Sequence, residues 1–251
     1  MLKSPSDIKL LQVSGRILAE TLCALQKQAK EGVSILDLDK EARRLIEKKG
    51  GSPAFLGYRS TPKSTPYPAS ICASLNETIV HGIPYDLPLK KGDLLSLDLG
   101  VNYKGLITDA ALTIGIGEVS KEASRLMKAG REALEAGIKV CKQGRRMGDI
   151  GSAIESVVKK YGFSVVDKLT GHGVGFALHE KPIVYNYGEK HTGLLLEEGM
   201  VLAIEPMISL GRSEVIEKKD GSFETKDGSL AVHFEKTITI TKHGYVNLTP
   251  W

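Results

Sequence analysis

The chain has 251 residues, 41% hydrophobic and 25% charged, which excludes a disordered or fibrous protein and allows one large core or two modest ones. With 34 basic and 30 acidic residues, the net charge of +4 is spread too thinly to argue for nucleic acid or a membrane surface as partner. Cys23, Cys72 and Cys141 are odd in number, far apart and without C-x-x-C spacing, so they read as reduced thiols; with no secretory leader and no run of about 20 apolar residues, a soluble cytoplasmic protein is expected.

In chain order, residues 4–30 place Ile8, Leu11, Ile17, Leu18, Leu22 and Leu25 at near-helical spacing, with Gly32 as a stop. SILDLDKEARRLIEKKG repeats the logic: Ser34 and Asp37 resemble a capping box, Leu38, Ala42 and Leu45 share a face, and Gly50 ends the helix. STPKSTPYPAS (60–70) carries three prolines and no periodicity and reads as a surface loop. Two more helices fit 120–142 and 147–161, separated by QGRR, and short alternating runs between helices read as strands.

Those strands contain an internal echo. KGDLLSLDLG (91–100) and EEGMVLAIEP (197–206) each set a glycine six residues before a carboxylate at the end of an apolar strand: Gly92 before Asp98, Gly199 before Glu205. Each is followed by a second strand opening with another acid, DAALTIGIG from Asp109 and EKTITITKHG from Glu235. Two matches in the same order point to two related halves, an α+β arrangement of helices and strand hairpins.

Side chains alternate across a strand, so neighbours two away share a face. Asp98 shares one with Ser96 and Gly100, Asp109 with Ala111 and Thr113, Glu205 with Ala203 and Val201, and Glu235 with Thr237 and Thr239, while larger aliphatics take the opposite faces. This pattern is expected to leave room beside each acid. For a single acid, a solvated surface charge is the better reading. Four acids in matching positions of two halves instead converge if the halves pack together, and burying them uncompensated would cost many kcal/mol or force protonation. Two divalent cations supply the opposing charge, and carboxylate oxygens with an imidazole suit Mn, Fe, Co or Zn. His172 in GHGVGFALHE (171–180) is the expected imidazole, because Gly171 and Gly173 leave the backbone bare around it.

The combination of NETIVHGIP (76–84), Asp98, Asp109, GHGVGFALHEKP (171–182), IEPMI (204–208) and HFEKT (233–237) resembles the type I methionine aminopeptidases, dinuclear metallopeptidases of the pita-bread fold. The resemblance covers essentially the whole chain. It implies one catalytic domain over 1–251, with two pseudo-symmetric halves whose helices pack on a curved, antiparallel-rich sheet. It implies that Asp98, Asp109, His172, Glu205 and Glu235 ligate two divalent ions, Co, Mn, Fe or Zn. Asp109 and Glu235 would bridge, Asp98 would complete one site, and His172 with Glu205 the other. Glu205 would also shuttle a proton, His179 would stabilise the tetrahedral intermediate, and His81 would contact the substrate amide or the leaving amine. Tyr58, Tyr67 and Cys72 would line the methionine pocket.

The substrate implied is the N-terminus of a peptide or nascent chain with a small second residue. The expected protein is a cytoplasmic monomer in transient ribosome contact, with no membrane and no specific nucleic-acid partner. His191, His243 and His233 read as structural, with His233 on the strand face of Glu235. Phe55, Gly100, Leu178 and Phe223 stand where the family commonly has Cys, Thr, Phe and Trp, so they bear on pocket shape and not on reaction type. Two alternatives are weighed: an Xaa-Pro aminopeptidase, whose relatives usually carry a sizeable extra N-terminal domain, and a non-catalytic binding protein on the same fold, whose relatives lose ligands.

Overall fold

The computed structural model describes residues 2–251. Its helices are α1 (Pro5–Gln28), α2 (Ile35–Lys48), α3 (Lys121–Lys139) and α4 (Met147–Tyr161). The strands of the first half are β1 (Ser52–Pro53), β2 (Cys72–Leu75), β3 (Thr78–Val80), β4 (Leu94–Tyr103) and β5 (Leu106–Gly115). After α4 come β6 (Ser164–Val165), β7 (Gly171–Gly173), β8 (Glu180–Val184), β9 (Val201–Ile204) and β10 (Met207–Ser209). The last are β11 (Val215–Glu217), β12 (Phe223–Thr225), β13 (Ala231–His233), β14 (Lys236–Ile240) and β15 (Tyr245–Asn247).

At the start of α1, Asp7 N–H donates to the Ser4 hydroxyl (3.2 Å) while Ser4 N–H donates to the Asp7 carboxylate (2.9 Å), a reciprocal cap that satisfies two otherwise orphaned donors. The helix lays Leu11, Leu18, Leu22 and Leu25 into the core and anchors on β4 through the Ser14 hydroxyl, which donates to Val101 O (2.7 Å). The cap expected at Ser34 does not form: its hydroxyl donates to Asp86 instead (2.8 Å), and Asp37 accepts from Lys40 (2.9 Å). Bridging to the loop before β4 outcompetes the local cap there. On the inner face of α2, Ile46 is fully buried and Leu45 only half-buried. In α3 the helix ends at Lys139, earlier than the expected 142, and α4 matches its expected bounds.

Strand order is β1-β4-β2 with β5 on β4, and β15-β14-β9-β7-β8 in the second half, with antiparallel pairing throughout the described strands. The echo read from sequence reappears as matching hydrogen bonds. Gly92 N–H donates to Ile116 O (2.8 Å) and Ile116 N–H to Asp93 O (2.8 Å); Gly199 N–H donates to Ile240 O (3.0 Å) and Ile240 N–H to Met200 O (2.8 Å). Both glycines have left-handed φ, +96° and +86°, which glycine adopts without cost. Strand lengths differ from expectation. β4 and β5 each run ten residues, so Asp98 and Asp109 lie inside them, whereas Glu205 falls just past β9 and Glu235 just before β14.

The halves meet along β5 and residues 233–237. The Thr237 hydroxyl accepts from Asp109 N–H (3.0 Å) and donates to Asp109 O (2.7 Å), Glu235 N–H donates to Ala111 O (2.8 Å), and the Thr113 hydroxyl accepts from His233 N–H and donates to His233 O, both at 2.9 Å. Threonine hydroxyls thus extend the seam on either side of the one direct backbone bond at Glu235. The room expected beside each acid is present, since all four line one cavity. Thr113 and Thr237 are fully buried in the seam, and the space lies only where the four carboxylates turn outward.

Candidate metal centre

Each acid is held by its backbone. Glu235 donates its N–H to Ala111 O, and its carbonyl accepts from the Trp251 indole (2.9 Å). The Glu205 carbonyl accepts from the buried Asn186 amide (3.0 Å). Asp98 and Asp109 face the same way from paired strands, in register with Ala111 and Gly100 respectively. His172 sits at the middle of β7, and the glycines beside it are required by packing: a Cβ at Gly171 would stand 2.5 Å from Ala203 O, and one at Gly173 2.5 Å from Lys181 O. The His172 Nδ1–H donates to Gly173 O (2.9 Å), which leaves Nε2 as a bare lone pair 3.3 Å from Glu205 Oε1.

Asp98, Asp109, Glu205 and Glu235 are all buried, so the reading of solvated surface charges is excluded. Donor atoms of Asp109, His172 and Glu235 lie within 4.8 Å of one another, as do those of Glu205, His233 and Glu235. Burial, and then the neighbouring acids, push Asp98 and Glu235 well above the usual carboxylate range. Glu205 moves the same way from burial and the Asp109 charge, and burial raises Asp109 to about 7. Burial lowers His172 to about 4, so it is neutral and free to donate its lone pair. Asp98 Oδ1, Asp109 Oδ1 and Glu235 Oε1 are buried without any hydrogen-bond partner. Orphaned oxygens on clustered carboxylates, beside a neutral imidazole, fit a divalent cation of the first transition row.

These groups form the floor of a cleft of about 1050 Å³. Of the residues expected in the pocket, Tyr58, Tyr67, Cys72, His81 and His179 all line it. His179 stands with its ring centroid 4.4 Å from that of His172, and its Nδ1 is 2.7 Å from the Tyr58 hydroxyl. Desolvation by the cleft walls, and then His172 and His81, lower it to about 3. His81 lies at the mouth, edge-on to Phe223 (5.7 Å), with a left-handed φ of +61° that is strained for a residue with a Cβ. The proline-rich segment is more than a surface loop. Gly57 N–H donates to Tyr67 O and Tyr67 N–H to Tyr58 O, folding 58–67 into a wall of the cleft, while the Tyr67 hydroxyl fastens it to Ile71 O and Gly82 O. Burial keeps the Cys72 thiol protonated, well above its usual pKa.

His191 lies outside the cleft, its side chain mostly exposed beside Asp149. His233, expected to be structural, is brought to the cluster, with Nε2 3.2 Å from Glu205 Oε2. Its sequence signal was the two-residue spacing from Glu235.

Residues 9–242 match metallopeptidase family M24. The chain is 43% identical to the methionine aminopeptidase of Aquifex aeolicus, over 99% of this chain and 98% of that one. The crystal structure of methionine aminopeptidase from Thermotoga maritima superposes with a TM-score of 0.95 at 40% identity, covering 99% of this chain and 98% of that chain. That from Rickettsia prowazekii gives 0.95 at 37%, covering 99% of each. The chain therefore belongs to metallopeptidase family M24, among its methionine aminopeptidases, and has their α+β pita-bread fold.

Proposed function

We propose that this methionine aminopeptidase acts on peptides and nascent chains whose second residue is small, with two divalent ions held by Asp98, Asp109, His172, Glu205 and Glu235. The observation that carries the reading is the gathering of four buried carboxylates, three with an orphaned oxygen, at the floor of an open cleft. Asp109 and Glu235, on either side of the seam, would be shared by the two ions; Asp98 would complete the ligands of one, and His172 with Glu205 those of the other. Metal held by these residues would supply Lewis acidity and a water whose pKa lies near neutrality.

The chain's own groups then do the rest. Glu205 takes the proton released during attack on the first peptide carbonyl and passes it toward the leaving amine. The Tyr58 hydroxyl, whose pKa burial raises, keeps its proton and donates to His179 Nδ1, which leaves Nε2–H directed at the developing oxyanion. His81 contacts the substrate amide from the mouth of the cleft. Tyr58, Tyr67 and Cys72, with Phe55 and Leu178 packed behind, form an apolar wall for the methionine side chain. The same reading makes residues 1–251 one catalytic domain, a cytoplasmic monomer that meets nascent chains through transient ribosome contact, without membrane or specific nucleic-acid binding.

The test is hydrolysis of Met-Ala-Ser and Ala-Pro peptides by protein loaded with defined metals. Release of methionine from the first and no cleavage of the second is expected; the reverse preference would make the chain an Xaa-Pro peptidase.

A further inference from the structure

His233 ends β13 and is 1% exposed. Its backbone is fixed on both sides by the Thr113 hydroxyl, so the ring position follows from the seam between the halves. Neither Nδ1 nor Nε2 has a hydrogen-bond partner. Burying an imidazole in that state is costly, because neither nitrogen recovers the hydrogen bond it gives up to water. Nε2 nevertheless lies 3.2 Å from Glu205 Oε2 and 3.9 Å from Glu235 Oε2, and the other Glu205 oxygen lies 3.3 Å from His172 Nε2. The Glu205 carboxylate is thus flanked by two imidazoles, one on each oxygen. Close approach without a directed hydrogen bond is the relation of two donors to a common ion. Ligand atoms bound at about 2.0–2.2 Å and at angles near tetrahedral lie roughly 3.2–3.6 Å apart.

We propose that His233 is a second imidazole ligand of the centre, forming with Glu205 and Glu235 a three-donor set for a borderline divalent cation such as zinc, cobalt or ferrous iron. The proposal rests on the cluster being a metal centre and adds a sixth protein ligand to it. A neutral imidazole adds a donor without disturbing the balance of four carboxylates against two dications. It also moves the preference from manganese and magnesium toward metals that favour nitrogen.

The experiment loads metal-free protein with cobalt(II) or zinc chloride and counts imidazole ligands by X-ray absorption, alongside equilibrium dialysis of wild type and His233→Gln. Two imidazoles for each pair of ions, and retention of the weaker-held ion reduced at least about 10-fold in the variant, are expected; outer-shell partners alone act on a 10–100-fold scale. One imidazole per pair, whatever the affinity of the variant, overturns the role of His233 as a ligand and leaves the five-ligand reading intact. Failure of the wild type to take up any divalent ion overturns both. If His233→Gln does not fold, as judged by circular dichroism, the imidazole count on wild-type protein decides alone.

Discussion

A methyl group added at Gly100 probes the packing of the cleft wall. Gly100, Phe55 and Leu178 meet at one point: a Cβ on residue 100 would stand 2.9 Å from Phe55 Cε1, 3.0 Å from Ala54 Cβ and 3.3 Å from Leu178 Cδ1. Carbon contacts settle at about 3.5–4.0 Å, so the Phe55 ring must retreat by roughly 0.6 Å or more. Behind it lies Tyr67, edge-on at 6.4 Å, itself tied down by two hydrogen bonds. Overpacking of this kind costs about 1–3 kcal/mol, offset by about 0.4–1 kcal/mol from the lower entropy of an unfolded chain with Ala in place of Gly. Gly100→Ala should therefore destabilise by about 1–2 kcal/mol, while in a Phe55→Cys background the same change should be neutral or stabilising. Urea unfolding of the four proteins gives the coupling, expected to be about 1–3 kcal/mol. Additivity within about 0.5 kcal/mol would refute the claim that the bulky ring occupies the space the glycine leaves.

Asp109→Ala and Glu235→Ala, each removing a carboxylate proposed to be shared by two ions, should abolish turnover while lowering bound metal to one ion or none, read by elemental analysis; two ions retained in either variant would contradict the proposed bridging role. His179→Ala should keep normal metal content and lose turnover. Tyr58→Phe, which removes only the hydrogen bond to Nδ1, should lower kcat/KM by about 2- to 10-fold, equivalent to about 0.5–1.5 kcal/mol, with metal content unchanged. The metal-free protein should lose thermal stability as pH rises from about 6.5 to 8. The unfolded chain releases these protons above about 4, whereas the folded state keeps the one on Asp109 up to about 7 and those on its raised neighbours beyond that; stability falls with pH for as long as the difference lasts, and above about 6.5 no histidine shift opposes the fall. Below about 6.5 the lowered pKa values of His172 and His179 act in the opposite sense, because the unfolded chain then binds protons the folded one does not. Metal-loaded protein should show a melting-temperature advantage that grows across pH 6.5–8; an advantage that stays flat would contradict the carboxylate shifts.

The parts legible in sequence were those that local periodicity governs. All four helices and the matching of Gly92–Asp98 with Gly199–Glu205 followed from spacing alone, and the resemblance brought the cleft histidines into view. What local reading missed depends on contacts distant in sequence. Ser34 abandons its cap for Asp86, 52 residues away, and Thr113 and Thr237 join the two halves along a seam. His233 resembled an ordinary strand residue because its alternation is that of Glu235. Only the docking of β13 beside β5 brings its ring to Glu205. The loop at 60–70 lacked any periodic signal, and its place as a cleft wall is fixed by backbone bonds between Tyr58 and Tyr67 that composition does not encode.

The central claim is that acids from both halves share divalent ions at the floor of the cleft and that peptide cleavage depends on them. Titration of metal-free protein with cobalt(II), following bound metal and methionine release from Met-Ala-Ser in the same samples, tests it most directly. Activity should rise from zero with metal uptake and be lost together with it in Asp109→Ala. Full methionine release from metal-free protein, or metal uptake that Asp109→Ala leaves untouched, would contradict the account.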